Sequence, residues 1–176
     1  MSPTAAGLTA TLISFVLFVC AGAWVVAPWM RRQPLAMALS LPLWVHAFRH
    51  VALQVFSARH FGFAVSEGLA GEIAWGDVAG GILALAGLWL LRHRPRAALL
   101  VIWIFVVETV VDLINATVGG IREGALQTAH DLTWLILTFY VPLLWVSLGL
   151  LIWQLLTRRG QLTESIATQQ RAGRRA

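Results

Sequence analysis

Long apolar runs, separated by short polar or basic stretches, dominate the chain. Five of these runs reach about the 20 mainly apolar residues that a helix needs to cross a bilayer. They cover residues 8–30, 35–57, 74–91, 97–119 and 131–157. The pattern predicts an all-α integral membrane protein, with a domain of five transmembrane helices over residues 1–157. Residues 158–176 are polar and basic, and we expect them to form a cytoplasmic tail.

The positions of the arginines predict the orientation in the membrane. They cluster after the first, third and fifth runs, for example at Arg31, Arg32, Arg92, Arg94, Arg96 and Arg158. Basic residues in short loops prefer the cytoplasmic side. We therefore expect the N-terminus outside and the C-terminus in the cytoplasm, in the cytoplasmic (inner) membrane of a bacterial cell.

The composition agrees with a membrane location. Of the 176 residues, 59% are hydrophobic and only 12% are charged, whereas soluble domains have about 25% charged residues. The basic residues are all arginines and lie mostly at the ends of apolar runs, so the net charge of +5 does not indicate a nucleic-acid partner. Cys20 is the only cysteine, which excludes a disulfide within the chain. Membrane lipid is the expected partner.

Three of the apolar runs carry ionisable residues well inside them. These residues are His46, Arg49, His50, Asp77, Glu108 and Asp112. A helical rise of about 1.5 Å per residue puts them between roughly 16 and 22 Å from the cytoplasmic ends of their helices. They are therefore predicted to meet in a buried cluster in the outer half of the bilayer.

The spacing of these residues predicts which helix faces meet. His46 and His50 are four residues apart, as are Glu108 and Asp112, and Asn115 continues the second stripe. Residues at this spacing share one face of a helix. Each pair is therefore expected to point into the bundle.

Small and aromatic residues add detail to the same region. Gly76, Gly80 and Ala84 recur at every fourth position of the third run, a pattern that lets helices approach closely. Trp44 and Trp103 lie deeper than tryptophans that anchor at headgroups. We expect them to pack inside the bundle or to line a pocket.

The leading hypothesis is a metal site that acts on a membrane-soluble substrate. Two histidines opposite a Glu and Asp pair offer the mixed nitrogen and oxygen ligands that suit zinc, iron or manganese. The predicted ligands are His46, His50, Glu108 and Asp112. The predicted substrate contacts are Arg49, Asn115, Trp44 and Trp103. Glu108, Asp112 and Asp77 are the candidate catalytic acids.

Metal-free chemistry is the first alternative. A desolvated carboxyl group can protonate an alkene, with a histidine as relay. The chain would then be an acid–base isomerase or cyclase of an isoprenoid-like lipid, using the same three acids.

A non-enzymatic role is the second alternative. Arg49 would pair with the acids in a structural network, in a homo-oligomer or as a subunit of a larger membrane complex. Haem b held by His46 or His50 together with His130 is a less favoured version. One arginine does not neutralise three acids, so a protonated acid, a charged histidine or a bound cation must supply the rest. Transport ranks low because the inner halves of the third and fourth runs are apolar.

Overall fold

The chain is helical almost throughout. A computed structural model describes residues 1–158 and residue 161, and contains no strand among them. The α-helices are α1 (Pro3–Ala21), α2 (Ala27–Arg32), α3 (Leu35–Ala47), α4 (Gln54–His60), α5 (Glu67–His93), α6 (Pro95–Arg122), α7 (Ala125–Thr128), α8 (Asp131–Leu135) and α9 (Val141–Thr157). The predicted all-α class is confirmed. The predicted tail lies outside the described residues, apart from Arg158 and Gln161.

Four helical segments are long and apolar enough to cross a membrane. They are Pro3–Arg32, Glu67–His93, Arg96–Arg122 and Asp131–Thr157. Length and composition therefore indicate a multi-pass membrane protein. The count of five spans and the orientation of the termini stay predictions.

The second predicted span is a broken helix. A 3₁₀ stretch, Phe48–Leu53, separates α3 from α4. A 3₁₀ helix has 3.0 residues per turn instead of 3.6, so side chains after the break do not continue the face of α3. This change of pitch decides which polar residues of the segment point inward.

Two of the membrane-length helices contain a π-helical turn just before a proline. The turns are Gly22–Val26 and Ile136–Tyr140, and Pro28 and Pro142 follow them. Proline has no backbone N–H, and its ring collides with the carbonyl four residues earlier. That carbonyl lies in the wider π turn in both helices, so each helix continues past its proline.

The helices pack around one main apolar core. α5 and α6 pack along each other, α3 and the 3₁₀ stretch lie against α5, and α9 packs on α3 and α1. The core includes Leu39, Leu43, Ile102, Phe105, Leu148 and Leu151. A smaller cluster with Val55, Phe63 and Leu69 lies where α4 meets α5. The polar site lies between these two clusters.

A hydrogen-bonded latch joins the start of α5 to the end of α6. The side chain of Ser66 caps α5 by accepting from the N–H of Leu69 at 3.2 Å. The N–H and O–H of Ser66 donate to the Glu123 carboxylate at 2.6 and 2.7 Å. These two donations hold the pKa of Glu123 below its ordinary value of 4.5, because they favour the charged form.

We predict that Glu123→Gln lowers the thermal stability of the protein at neutral pH and that this effect fades in acid. A carboxyl group whose pKa is lower in the folded state than in the unfolded state stabilises the fold at every pH above its unfolded-state pKa, which is 4.5 here. This stabilisation is lost as the pH falls through the lower, folded-state pKa. Melting temperatures of both proteins in detergent, measured from neutral pH to well below 4.5, test this. A difference in melting temperature that stays constant with pH would show that the latch does not depend on the negative charge of Glu123.

Candidate functional site

Arg49 lies at the centre of the polar site and is fully buried. It belongs to the 3₁₀ stretch, and its guanidinium reaches across to α5 and α6. Its Nε donates to Oδ1 of Asp77 at 2.5 Å, and its Nη2 donates to Oδ2 of Asp112. Its Nη1 donates to the hydroxyl of Thr109 at 3.0 Å. The planar fork of donors therefore fixes three helical segments relative to one another.

Glu108 completes the cluster from the same side of α6. Its Oε2 lies 3.7 Å from Nη1 of Arg49 and accepts a hydrogen bond from Thr109 at 3.1 Å. The side chains of Asp77, Glu108 and Asp112 are 14, 22 and 12% exposed, whereas that of Arg49 is wholly covered. Three carboxyl groups therefore surround a single guanidinium, and each keeps an edge open to a cavity or to the surface.

Two glycines of α5 make room for this cluster. A Cβ at Gly80 would lie 2.9 Å from Cζ of Arg49 and 2.9 Å from Oε2 of Glu108. A Cβ at Gly76 would overlap the carboxylate of Asp112. The small-residue pattern predicted close helix approach. In the structure the space left by these glycines holds charged side chains.

The two histidines of the broken helix point to different places. His46 is fully buried, its Nε2 lies 3.1 Å from Oγ of Ser147 on α9, and its ring packs edge-on against Phe105. His50 is exposed, and its Nδ1 lies 3.4 Å from the carbonyl of Ala47. The expected shared face is lost because the 3₁₀ stretch begins between them.

The predicted metal ligands are therefore not brought together. Glu108 and Asp112 are near Arg49, His46 is in the packed core and His50 is at the surface. Among residues 1–158 and 161, no group of three or more His, Cys, Asp or Glu side chains is arranged to hold a metal ion.

A cavity of about 380 Å³, the interior cavity, lies beside Asp77 and Asp112. Its walls come from α1, α6 and the segment that leads into α9, and they are largely apolar, as with Leu8, Leu113 and Leu137. Tyr140 also lines it, and the Tyr140 hydroxyl donates to the carbonyl of Val45 at 2.8 Å. The carboxyl groups thus lie in the wall of an apolar chamber.

A second space of about 390 Å³, the α5/α6 groove, lies on the other side of Asp112. Glu72, Glu108, Asp112 and Asn115 are its polar lining residues. Ile73, Asp112 and Ala116 line both spaces and form the wall between them. Asp112 is therefore the carboxyl group that faces both the interior cavity and the groove.

A third pocket of about 380 Å³ lies at the end of the bundle that carries His130 and Asp131. His130 Nδ1 lies 3.2 Å from Oδ2 of Asp131. Gln54 and Thr133 line both this pocket and the interior cavity, and the Gln54 amide donates to the Thr133 hydroxyl at 3.1 Å. This hydrogen-bonded pair separates the two spaces.

The remaining predicted substrate contacts lie away from the interior cavity. Asn115 lines the groove. Trp44 is 50% exposed on the outside of α3 instead of packing inside the bundle. Trp103 is half-buried and packs against the main core. The helix phase explains the difference for Trp44, because His46 two residues later occupies the inward face of α3.

Two functional groups were missed in the sequence. Thr109 is fully buried and links Arg49 to Glu108. In the sequence, its position directly after an acid in an apolar run could have indicated this role. Tyr140 is the only tyrosine of the chain, and its polar end lies in the middle of an apolar run. Tyr140 thus combines a polar atom with apolar neighbours on either side, and Thr109 combines one with an acidic neighbour.

A family model covers the whole of this site. It matches residues 6–156, and its description is "Domain of unknown function (DUF8737)". Arg49, its three carboxyl partners and the linings of the interior cavity and groove, apart from Thr4, all lie within the matched range. No curated protein and no solved structure matches the chain.

We predict that Gly80→Ala destabilises the protein by about 1–3 kcal/mol, the usual cost of overpacking a filled site. The matched control is Gly71→Ala on the same helix, where a Cβ meets nothing within 4 Å. That change should be neutral or stabilise by about 0.5–1 kcal/mol, because alanine favours helix more than glycine does. Thermal unfolding in detergent measures both. Equal effects of the two substitutions would contradict a space requirement at Gly80.

Proposed function

The chain belongs to the DUF8737 family, and from its site we propose that it binds a membrane-soluble molecule in the interior cavity and transfers protons to and from it without a metal. An isoprenoid-like lipid is the substrate class that suits such a chamber, and isomerisation or cyclisation is the corresponding reaction. The chain would do this as a multi-pass protein of a bacterial cytoplasmic membrane.

The observation that carries this proposal is the combination of an apolar chamber with carboxyl groups in its wall. A volume of about 380 Å³ is within the usual range of small-molecule sites, about 300–1,000 Å³. Leu8, Leu113 and Leu137 offer apolar contact to a hydrocarbon. Asp77 and Asp112 are the acidic residues lining the chamber, and both accept hydrogen bonds from Arg49.

The charge balance supports proton transfer. One guanidinium faces three carboxyl groups, and an unpaired charge inside a membrane costs about 2.5–3.5 kcal/mol or more. One proton shared among Asp77, Glu108 and Asp112 removes one of the two excess negative charges, and a second proton removes the other. A protonated Asp112 can then donate to one carbon of a double bond in the chamber, which leaves a carbocation at the other carbon of that bond. A neighbouring carboxylate can take a proton from the next carbon along, so that the double bond moves by one position.

The contacts favour this function over a metal enzyme. Asp77, Asp112 and Thr109 all accept hydrogen bonds from Arg49, so the guanidinium occupies the place that a cation would take. A purely structural network is the second candidate, because Arg49 is fully covered and each of its three side-chain nitrogens donates a hydrogen bond. The interior cavity supports the first of the two, since a network that only fixes helix register needs no chamber beside it.

We predict that protein purified in mild detergent carries a lipophilic molecule and that Thr117→Phe removes most of it. Thr117 lines the interior cavity, so a phenyl ring there fills the chamber. The matched control is Val118→Phe, at a neighbouring position that is 40% exposed and lines none of the three spaces. Organic extraction followed by mass spectrometry gives the amount of ligand per protein. Equal extracts from both variants, or none from the wild type, would contradict the binding site.

We also predict that Asp112→Asn retains the molecule but converts it much more slowly. The amide keeps the size of the side chain and cannot donate a carboxyl proton. Incubation of the extracted lipid with wild-type protein should change its chromatographic retention, and the variant should be slower by about 10²–10⁴-fold, the usual contribution of a general acid. Equal conversion by both proteins would remove Asp112 from the mechanism. No conversion by either would leave a binding protein.

A further inference from the structure

The α5/α6 groove differs from the interior cavity in chemical character. Its lining includes three carboxyl groups and one amide, from Glu72, Glu108, Asp112 and Asn115. Val107 and Val111 flank these groups and are 62 and 53% exposed on the outer face of α6. The groove therefore opens sideways from the bundle and leads to the same carboxyl group that faces the chamber.

The polar residues of the groove are spread along the axes of α5 and α6. Glu72 lies six residues after Ser66, the N-cap of α5, which is about 9 Å of helix. On α6, Asn115, Asp112 and Glu108 follow one another away from the end that carries Glu123. The groove thus extends from the Arg49 cluster toward the end of the bundle that carries the Ser66–Glu123 latch.

Lipid alone is a poor occupant for this groove. The carboxylate of Glu108 accepts a hydrogen bond from Thr109 and reaches Arg49 only at 3.7 Å, so it has room for further donors. Asn115 is exposed. A polar side chain that faces hydrocarbon without a hydrogen-bond partner costs several kcal/mol of free energy, about as much as an unpaired polar group buried in a protein. Water satisfies both side chains and fits a space of about 390 Å³.

We infer that the groove is filled with water and is the route by which protons reach Asp112, with Glu108 as the relay residue. This inference rests on the proposed function, since it supplies the proton source for the acid in the chamber. The charged groups around Asp112 are Arg49, Asp77 and Glu108. Asp112 gives its proton to the substrate on one side. Its carboxylate then takes a proton from Glu108 on the other, and water returns one to Glu108. The proton that the neighbouring carboxylate takes from the substrate leaves to water along the same groove, so the cluster holds the same number of protons after each turnover.

The hydration of the groove can be measured with cysteines in a Cys20→Ser background. Only the thiolate reacts with charged, water-soluble thiol reagents, and it forms in water rather than in lipid. Asn115→Cys, in the groove, is expected to react about tenfold or more faster than Ile114→Cys. Ile114 is the neighbouring residue, is 46% exposed and lines none of the three spaces. Equal slow reaction of the two cysteines would overturn the inference.

The route to the carboxyl groups can be measured with a water-soluble carbodiimide, which modifies protonated carboxyl groups. The expected products carry the label on Glu108 or Asp112, located by peptide mass spectrometry. Val111→Phe places a ring in the groove and should reduce this labelling severalfold. Ile114→Phe, outside the groove, should not. Labelling that survives Val111→Phe but falls with Thr117→Phe would mean access through the interior cavity, and would overturn the inference.

These measurements need no bound ligand, so their outcome is separate from that of the proposed function. An unreactive groove in a protein that still converts its lipid would remove the proton route alone. A reactive groove in a protein that carries no lipophilic molecule would remove the function of the chamber and leave the groove as a hydrated access to the cluster.

Discussion

The pairing of Arg49 with Asp77, Glu108 and Asp112 is the interaction on which the rest of the structure depends. A fully buried guanidinium is tolerated only when its donors are satisfied, and removal of one partner from such a network typically costs about 3–5 kcal/mol. The broken second helix brings Arg49 inward, and the missing side chain at Gly80 leaves room for the guanidinium. The 3₁₀ backbone around Arg49 and the close packing of α5 against α6 thus both accommodate one charged side chain.

The same pairing leaves an excess of negative charge that can be neutralised by protons. The surroundings of Asp112 allow such a proton to be exchanged. This residue separates an apolar chamber from a polar groove. A carboxyl group placed this way can exchange protons with two environments without any movement of a helix. The arrangement explains why Asp112, rather than Asp77 or Glu108, is the acid assigned to the substrate. Asp77 lines only the chamber, and Glu108 lines only the groove.

The sequence predicted the helical class and the meeting of the three acids, because both follow from run length and depth in the bilayer. The depth argument succeeded for Asp77, Glu108 and Asp112, which lie on regular helices. The spacing argument failed for His46 and His50, because the helix changes from α to 3₁₀ pitch at Phe48. Such a change depends on contacts with other helices and cannot be read from spacing. Arg49 lies in this 3₁₀ stretch and pairs with acids on two other helices, and the four-residue spacing of the two histidines does not reveal these contacts.

The most direct test of the account is the protonation of the cluster, measured by infrared spectroscopy of the purified protein at neutral pH. A protonated carboxyl group has a carbonyl stretching band that shifts in D₂O, and an ionised one does not. The account predicts such a band in the wild type, and its loss or displacement in Asp112→Asn but not in Glu67→Gln, a change at the exposed start of α5. A wild-type spectrum without that band would mean that all three acids are ionised around Arg49, and would contradict the proton-transfer site.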